Sequence, residues 1–278
     1  MKEKFDYVSA RSSQLVTRKY STSFSLGILF LNKKFHQPIY SIYGFVRCAD
    51  EIVDSFHGYN KKYLLEKFCE DTYDAIENKI SLNPILNSFQ QVVHEYKIDR
   101  ELIDGFLHSM EMDLQQSNHN EESFKKYILG SAEVVGLMCL RVFTENDFAR
   151  YEKLKPSAMK LGAAFQKVNF LRDLKQDYEG LGRTYFPEVD FKKFTERDKQ
   201  RIELEIEKDF QSALQGIKLL PHGARSGVYL AYYYYKKLFE KIRRIPAQRV
   251  MRERIRIPNT MKIAYMFKSY LRNSLNLL

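Results

Sequence analysis

Residues His36–Phe56 read HQPIYSIYGFVRCADEIVDSF. Ile39, Ile42, Tyr43 and Val46 recur at three- and four-residue spacings, the period of one helix face, and with Ile52 they are the candidates for its inward side. Pro38 is placed near the N-terminus of this helix, where proline costs least, and His57-Gly58 marks its end. The same helix carries Asp50 and Asp54. At 3.6 residues per turn they share a face, and like charges at that spacing cost a helix about 0.2–0.5 kcal/mol unless something positive sits between them. The sequence around them therefore poses the question of the positive partner.

The helical reading extends along most of the chain. Only 12 Gly and 7 Pro interrupt 278 residues, and the same period predicts helices over about 61–79, 83–95, 100–115, 123–141, 145–179, 196–218, 226–244 and 260–276. QQSNHNEES and LLPHGARSG read as loops. Neither a repeat of solenoid period nor a Ser/Gly linker divides the chain, so the expectation is an all-α, single-domain helical bundle over residues 1–278.

With 44% hydrophobic and 14% aromatic residues the chain can bury a substantial core. Lys plus Arg is 45 against Asp plus Glu 35, a net charge of +10, which suits an anionic partner: nucleic acid, a lipid surface or a phosphorylated substrate. Cys48, Cys69 and Cys139 are odd in number and form no C-x-x-C, so neither a disulfide framework nor a zinc ribbon is indicated and a reducing compartment is expected. MKEKFDYVSARSS has no apolar leader core, and Glu133 and Arg141 interrupt the most apolar run, SAEVVGLMCLRVF. The expectation is a cytoplasmic protein that touches the inner face of a membrane at most peripherally. Oligomeric state stays open.

A second stretch, FQKVNFLRDLKQDYEGLGRTYFPEVD (165–190), repeats the aspartate pair as Asp173 and Asp177, and Gln166, Asn169 and Asp173 continue a polar stripe at spacings of three and four. If the two helices face each other, four carboxylates converge on one cavity, which is costly unless they hold cations. Oxygen ligands without His or Cys favour Mg²⁺ or Mn²⁺ over zinc, and a di-iron bundle would want Glu-x-x-His pairs, which none of the six His provides. Mg²⁺ completes its shell with phosphate oxygens, so a helix-borne aspartate pair suits a diphosphate.

Asp50-x-x-x-Asp54 in RCADEIVD, Asp173-x-x-x-Asp177 in QKVNFLRDLKQD and the following RTYFP resemble the squalene and phytoene synthase family of head-to-head prenyl transferases. YSTSFSLG is similar to the family's Ser-x-Ser-Phe segment and places Ser21, Ser23 and Phe24 beside the substrate. YILGSAEVVG matches its small-residue helix at Tyr127, Val135 and Gly136, and RERIRIPNTMKI its basic C-terminal segment at Arg254, Arg256 and Lys262. Many members start the first motif Asp-Asp where this chain has Asp50-Glu51, and the Asp-Asp-x-x-Asp box of head-to-tail synthases is absent.

The resemblance implies condensation of two prenyl diphosphates through a cyclopropylcarbinyl diphosphate. Asp50, Asp54, Asn169, Asp173 and Asp177 would hold Mg²⁺, or Mn²⁺; Gln166 continues their stripe. Arg47, Arg172, Arg183, Arg254 and Arg256 would contact diphosphate, and Phe24, Tyr43, Tyr127, Tyr185 and Phe186 would enclose the carbocation. The sequence texture favours two geranylgeranyl diphosphates and phytoene, via prephytoene diphosphate, without NADPH; the alternative is farnesyl diphosphate giving dehydrosqualene or squalene. Gly130–Ala132 and Gly162–Ala164 serve either close helix packing or a prenyl tunnel, and AYYYYKK (231–237) reads as helix packing with an exposed edge. A non-catalytic basic module that binds nucleic acid or an anionic membrane ranks far lower, because the basic residues are scattered and aspartate pairs without metal repel phosphates.

Overall fold

The computed structural model describes residues 1–278 except 116–117, 188, 190–192, 259–260, 263, 266–267, 270–271 and 273–278. Asn32 accepts a hydrogen bond from the Lys34 N–H (3.2 Å) and starts the aspartate helix, Lys33–Ser55. Pro38 therefore lies inside the helix rather than at its first turn, and the start moves upstream because the Asn cap, not the proline, satisfies the free backbone donors. Similar caps begin five other helices: Asn60 for Lys61–Asn78, Asn83 for Pro84–Glu95, Asn120 for Glu121–Ile128, Asp147 for Phe148–Leu181 and Thr195 for Glu196–Leu219. In chain order the helices are α1 (Lys2–Tyr20), α2 (Thr22–Leu29), α3 (Lys33–Ser55), α4 (Lys61–Asn78), α5 (Pro84–Glu95), α6 (Arg100–Gln115), α7 (Glu121–Ile128), α8 (Val134–Thr144), α9 (Phe148–Leu181), α10 (Glu196–Leu219), α11 (His222–Arg243) and α12 (Ala247–Val250). The fold is all-α; among the described residues the β-geometry is one isolated bridge, Asn118 to Thr184.

Several boundaries differ from the sequence reading. The first thirty residues form α1 and α2, which hydrophobic periodicity misses because α1 buries Ser9, Ser13 and Thr17 instead of apolar residues. Ser13 shares a 2.6 Å hydrogen bond with Ser88, and the Asn87 amide donates to Ser9 (3.1 Å), so this polar seam is satisfied against α5. The expected helix over 123–141 is α7 and α8 joined by a π-turn at Leu129–Glu133. Taken as one helix, Glu121–Thr144 is long and apolar enough to cross a membrane, contrary to the sequence reading, but most of it is buried in the bundle. Glu145 and Asn146 adopt left-handed φ of 49° and 66°, which delays α9 to Phe148. LLPHGARSG is loop only to Pro221, whose carbonyl already accepts the Ala224 and Arg225 N–H groups at 2.9 and 3.0 Å. The expected helix at 260–276 falls largely outside the described residues.

α9 runs through the molecule packed on α8, α10, α11 and the π-turn, while α3 packs on α1, α4, α5, α6 and α8. Behind α3, Phe45 stacks on Phe89 (4.0 Å between centroids) and on Phe68 (5.7 Å). Glycine lets α9 approach the π-turn: a Cβ on Gly162 would lie 2.5 Å from the Ala132 carbonyl oxygen, and one on Gly130 2.5 Å from that of Gly105. These contacts set the width of the space that α3 and α9 face.

Candidate active site

Between α3 and α9 lies a cavity of about 670 Å³, within the ~300–1,000 Å³ of ligand sites. Asp50 and Asp54 from α3 and Asp173 and Asp177 from α9 all line it. So do Ser21, Ser23, Phe24, Tyr43, Arg47, Tyr127, Val135, Gly136, Gln166, Asn169, Arg172, Arg183, Tyr185 and Arg254, which the structure thus brings together as the sequence reading expects. Arg256 and Phe186 depart from it. Arg256 does not line the cavity; its side chain is exposed while its carbonyl accepts from Lys241 (2.6 Å). Phe186 is buried in the core, edge-on to Phe170 at 6.0 Å, because the turn after Arg183 alternates its side chains. Lys262 lies against Tyr234, away from the carboxylates.

The positive partners are arginines. Arg183, just past the end of α9, reaches Asp54 at 2.9 Å and Asp113 of α6 at 3.5 Å. Arg172 and Arg254 both hold Asp173, at 2.5 and 2.8 Å. Arg47 pairs with Glu51, stands 4.0 Å from Asp50 and lies over the Tyr20 ring at 4.5 Å. Glu51 thus neutralises Arg47 and is not part of the cavity wall. Burial works against the Arg183 guanidinium, but Asp113, Tyr185 and Asp54 outweigh it and hold the group charged.

These arginines do not cancel the carboxylate charge. Burial, then the neighbouring Asp54, pushes Asp50 up to about 7; burial, then Asp173 and Asp54, does the same to Asp177. The Asp113 carboxyl is likewise raised to about 7 by burial, against the opposing pull of Arg183 and Tyr127, and its Oδ1 has no hydrogen-bond partner. A cavity wall that raises three carboxyls fits a cation bound there. Among the described residues no three His, Cys, Asp or Glu side chains close into a ready-made cage, so the oxygen-only donors on the two walls suit Mg²⁺ or Mn²⁺ sharing a shell with ligand oxygens.

Sequence reasoning missed Asp113 and the tyrosines of α11. Asp113 accepts from the Tyr127 hydroxyl (2.8 Å) at the cavity wall, and its only sequence signal is an acid on an apolar helix face in FLHSMEMDL. Within AYYYYKK, Tyr234 and Tyr235 line the cavity rather than an exposed edge, and the Tyr235 hydroxyl donates to Asn169 (3.3 Å). Phe165 stacks on Tyr235 (4.0 Å) and Phe170 on Tyr185 (3.9 Å), giving one side of the cavity an aromatic wall. Away from the carboxylates the lining becomes apolar, with Leu31, Leu140, Phe143, Leu154 and Leu220. α9 contributes from Leu154 to Asp177, a span of roughly 35 Å at 1.5 Å per residue. Of the small-residue segments, Ser131, Ala132 and Gly162 line this space, whereas Gly130 serves the contact with α6.

An all-α bundle with two facing aspartate-bearing helices at one end of an apolar cavity suits a ligand with a metal-bridged diphosphate and an apolar chain. The squalene/phytoene synthase profile matches residues 17–261, and the chain belongs to that family. Phytoene synthase 1 of the Solanum lycopersicum chloroplast is 26% identical over 248 residues, covering 82% of this chain and 59% of that protein, so this chain spans about three fifths of its length. A 15-cis-phytoene synthase of Synechococcus elongatus is 25% identical over 288 residues, 92% of this chain and 91% of the relative. The crystal structure of a dehydrosqualene synthase in complex with ligand has the same fold, with a TM-score of 0.83 over 96% of this chain and 98% of that one at 21% identity.

Proposed function

We propose that the protein condenses two geranylgeranyl diphosphates head to head to phytoene, releasing diphosphate, as a step in carotenoid biosynthesis. The observation that carries the reading is the placement of both aspartate pairs, from helices far apart in sequence, on one cavity whose remainder is apolar. Asp50, Asp54, Asn169, Asp173 and Asp177 are the residues that would hold Mg²⁺, or Mn²⁺, which supplies neutralisation of the departing diphosphate charge. Arg47, Arg172, Arg183 and Arg254 orient the diphosphate, and each must exchange a carboxylate partner for a phosphate oxygen to do so. Ser21 fixes the start of α2 by accepting from the Phe24 N–H (3.2 Å), which sets the Phe24 ring against Tyr43 at 4.8 Å. These rings, with Tyr127 and Tyr185, exclude water and present π-faces to a cation formed between them.

The C20 preference is supported by the long apolar reach of the cavity and by the phytoene synthases among its relatives. The dehydrosqualene synthase fold supports farnesyl diphosphate as the second reading. On this reading the reaction runs in the reducing cytoplasm, ends in proton loss without NADPH, and releases its product through peripheral contact with the inner face of the membrane. The test is to incubate the full chain with Mg²⁺ and each diphosphate, with and without NADPH, and identify the hydrocarbon. Phytoene from the C20 substrate, unchanged by NADPH, is the expected product. Faster turnover of farnesyl diphosphate would overturn the chain length, and no diphosphate release from either substrate would overturn the activity.

A further inference from the structure

α1 is inside out. Its buried stripe is Ser9, Ser13 and Thr17, each fully buried, while Tyr7, Val8 and Leu15 are 60%, 49% and 58% exposed. The seam is possible because Gly44 of α3 sits against Ser13 and the hydroxyls find partners on α5. At 100° per residue the three apolar side chains fall within one outer arc, and the exposed residues interleaved with them on that arc are Lys4, Arg11, Arg18 and Lys19. No acid lies within the arc. Glu3 is at its border, and Asp6 is turned inward to the Asn87 amide (3.0 Å). Single exposed apolar residues need no explanation; an outward stripe of them set among four cations on a helix whose inner face is polar does.

We infer that this outer face of α1 docks the protein on an anionic lipid surface. Lys and Arg flanking Tyr, Val and Leu is the composition of a helix lying in the headgroup plane, where the cations meet lipid phosphates and the apolar groups enter the acyl boundary. A nucleic acid would use the same cations but leave the apolar stripe unburied, so the stripe decides for lipid. The placement also links the surface to the site: α1 ends at Tyr20, which lines the cavity and lies under Arg47, and Ser21 and Ser23 follow directly. Docking on α1 therefore brings the Tyr20–Ser23 side of the cavity to the membrane. The use made of this contact rests on the proposed function; the contact itself does not.

Vesicle co-sedimentation of the full chain tests it, with phosphatidylcholine vesicles and with vesicles of equal phosphatidylcholine and phosphatidylglycerol. The wild type is expected to pellet with the anionic vesicles and to be released by salt. The double variant V8E/L15E should bind at least on the order of tenfold more weakly, and K4Q/R18Q about fivefold more weakly per charge removed. Both variants should keep the wild-type Tm and the wild-type diphosphate release from detergent-dispersed substrate, since none of these side chains lines the cavity. Vesicle binding by V8E/L15E equal to wild type, or binding of a single-stranded RNA by the wild type with no pelleting on the anionic vesicles, would overturn the inference. Absence of diphosphate release in every protein, with the vesicle pattern as expected, would overturn the enzymatic reading and leave the docking surface standing.

Discussion

Asp50 and Asp177 line one cavity with Asp54, Asp113 and Asp173, and both are raised to about 7 by burial and like charge. Their pKa in the folded chain lies above the ordinary value of 3.8, so between roughly pH 4 and 7 the folded state binds more protons than the unfolded one. Metal-free protein should therefore lose stability as pH rises through that window. Differential scanning calorimetry at pH 5 and pH 8 should show the lower Tm at pH 8, and Asp50→Asn should flatten the difference. With metal and diphosphate present the order reverses, because ionised carboxylates bind the cation. The same substitution, or Asp173→Asn, should lower turnover by on the order of 10² or more, the usual loss when a preorganised electrostatic group is removed. Arg183→Ala has a different signature. It leaves Asp113 buried at 4% side-chain exposure without its cation, and breaking such a pair costs roughly 3–5 kcal/mol. Because Asp113 can escape the penalty by taking up a proton, urea unfolding should show a smaller loss at pH 5 than at pH 8.

Helix crossings set the shape of the cavity, and two glycines of α9 separate packing from propensity. Replacing glycine by alanine in a helix gains up to about 1 kcal/mol. At Gly162 the added Cβ would sit 2.5 Å from the Ala132 carbonyl oxygen and 2.9 Å from its carbon; that is backbone and cannot turn aside, so overpacking at roughly 1–3 kcal/mol prevails. At Gly180 nothing lies within 4 Å and the propensity gain stands alone. Gly162→Ala should lower the urea midpoint and reduce turnover by forcing α9 away from the π-turn, while Gly180→Ala should raise the midpoint slightly.

At the scale of the molecule, substrate length is a matter of how far the apolar space runs from the carboxylates. Ala158 lines that space, and its carbonyl is packed against Gly136 of α8. It stands four turns before Asp173 on α9, about 22 Å away at 1.5 Å per residue. Ala158→Phe should block the far part without touching the aspartate wall. Competition assays should show turnover of the C20 diphosphate falling several-fold relative to the C15 diphosphate, and equal loss for both would mean that the chains do not extend along α9.

The sequence by itself determined the helices and the chemistry they carry. A helical period and an aspartate pair one turn apart are local, expressed within about four residues, and they appear at α3 and α9 as read; the Asn32 and Asp147 caps that start these helices are as local but were not read, so both starts moved. Relations across the fold were decided only by tertiary structure. Arg183 finds Asp54 across 129 residues and Asp113 across 70; Asp113 and Tyr235 enter the cavity wall and Arg256 stays outside it. α1 escaped the period altogether because its seam is made by hydroxyls whose partners, Ser88 and Asn87, lie on another helix. Which face of a helix is inward depends on what packs against it, and that partner is set by the close approaches at Gly44, Gly130 and Gly162, where the absence of a side chain gives no periodic signal to read.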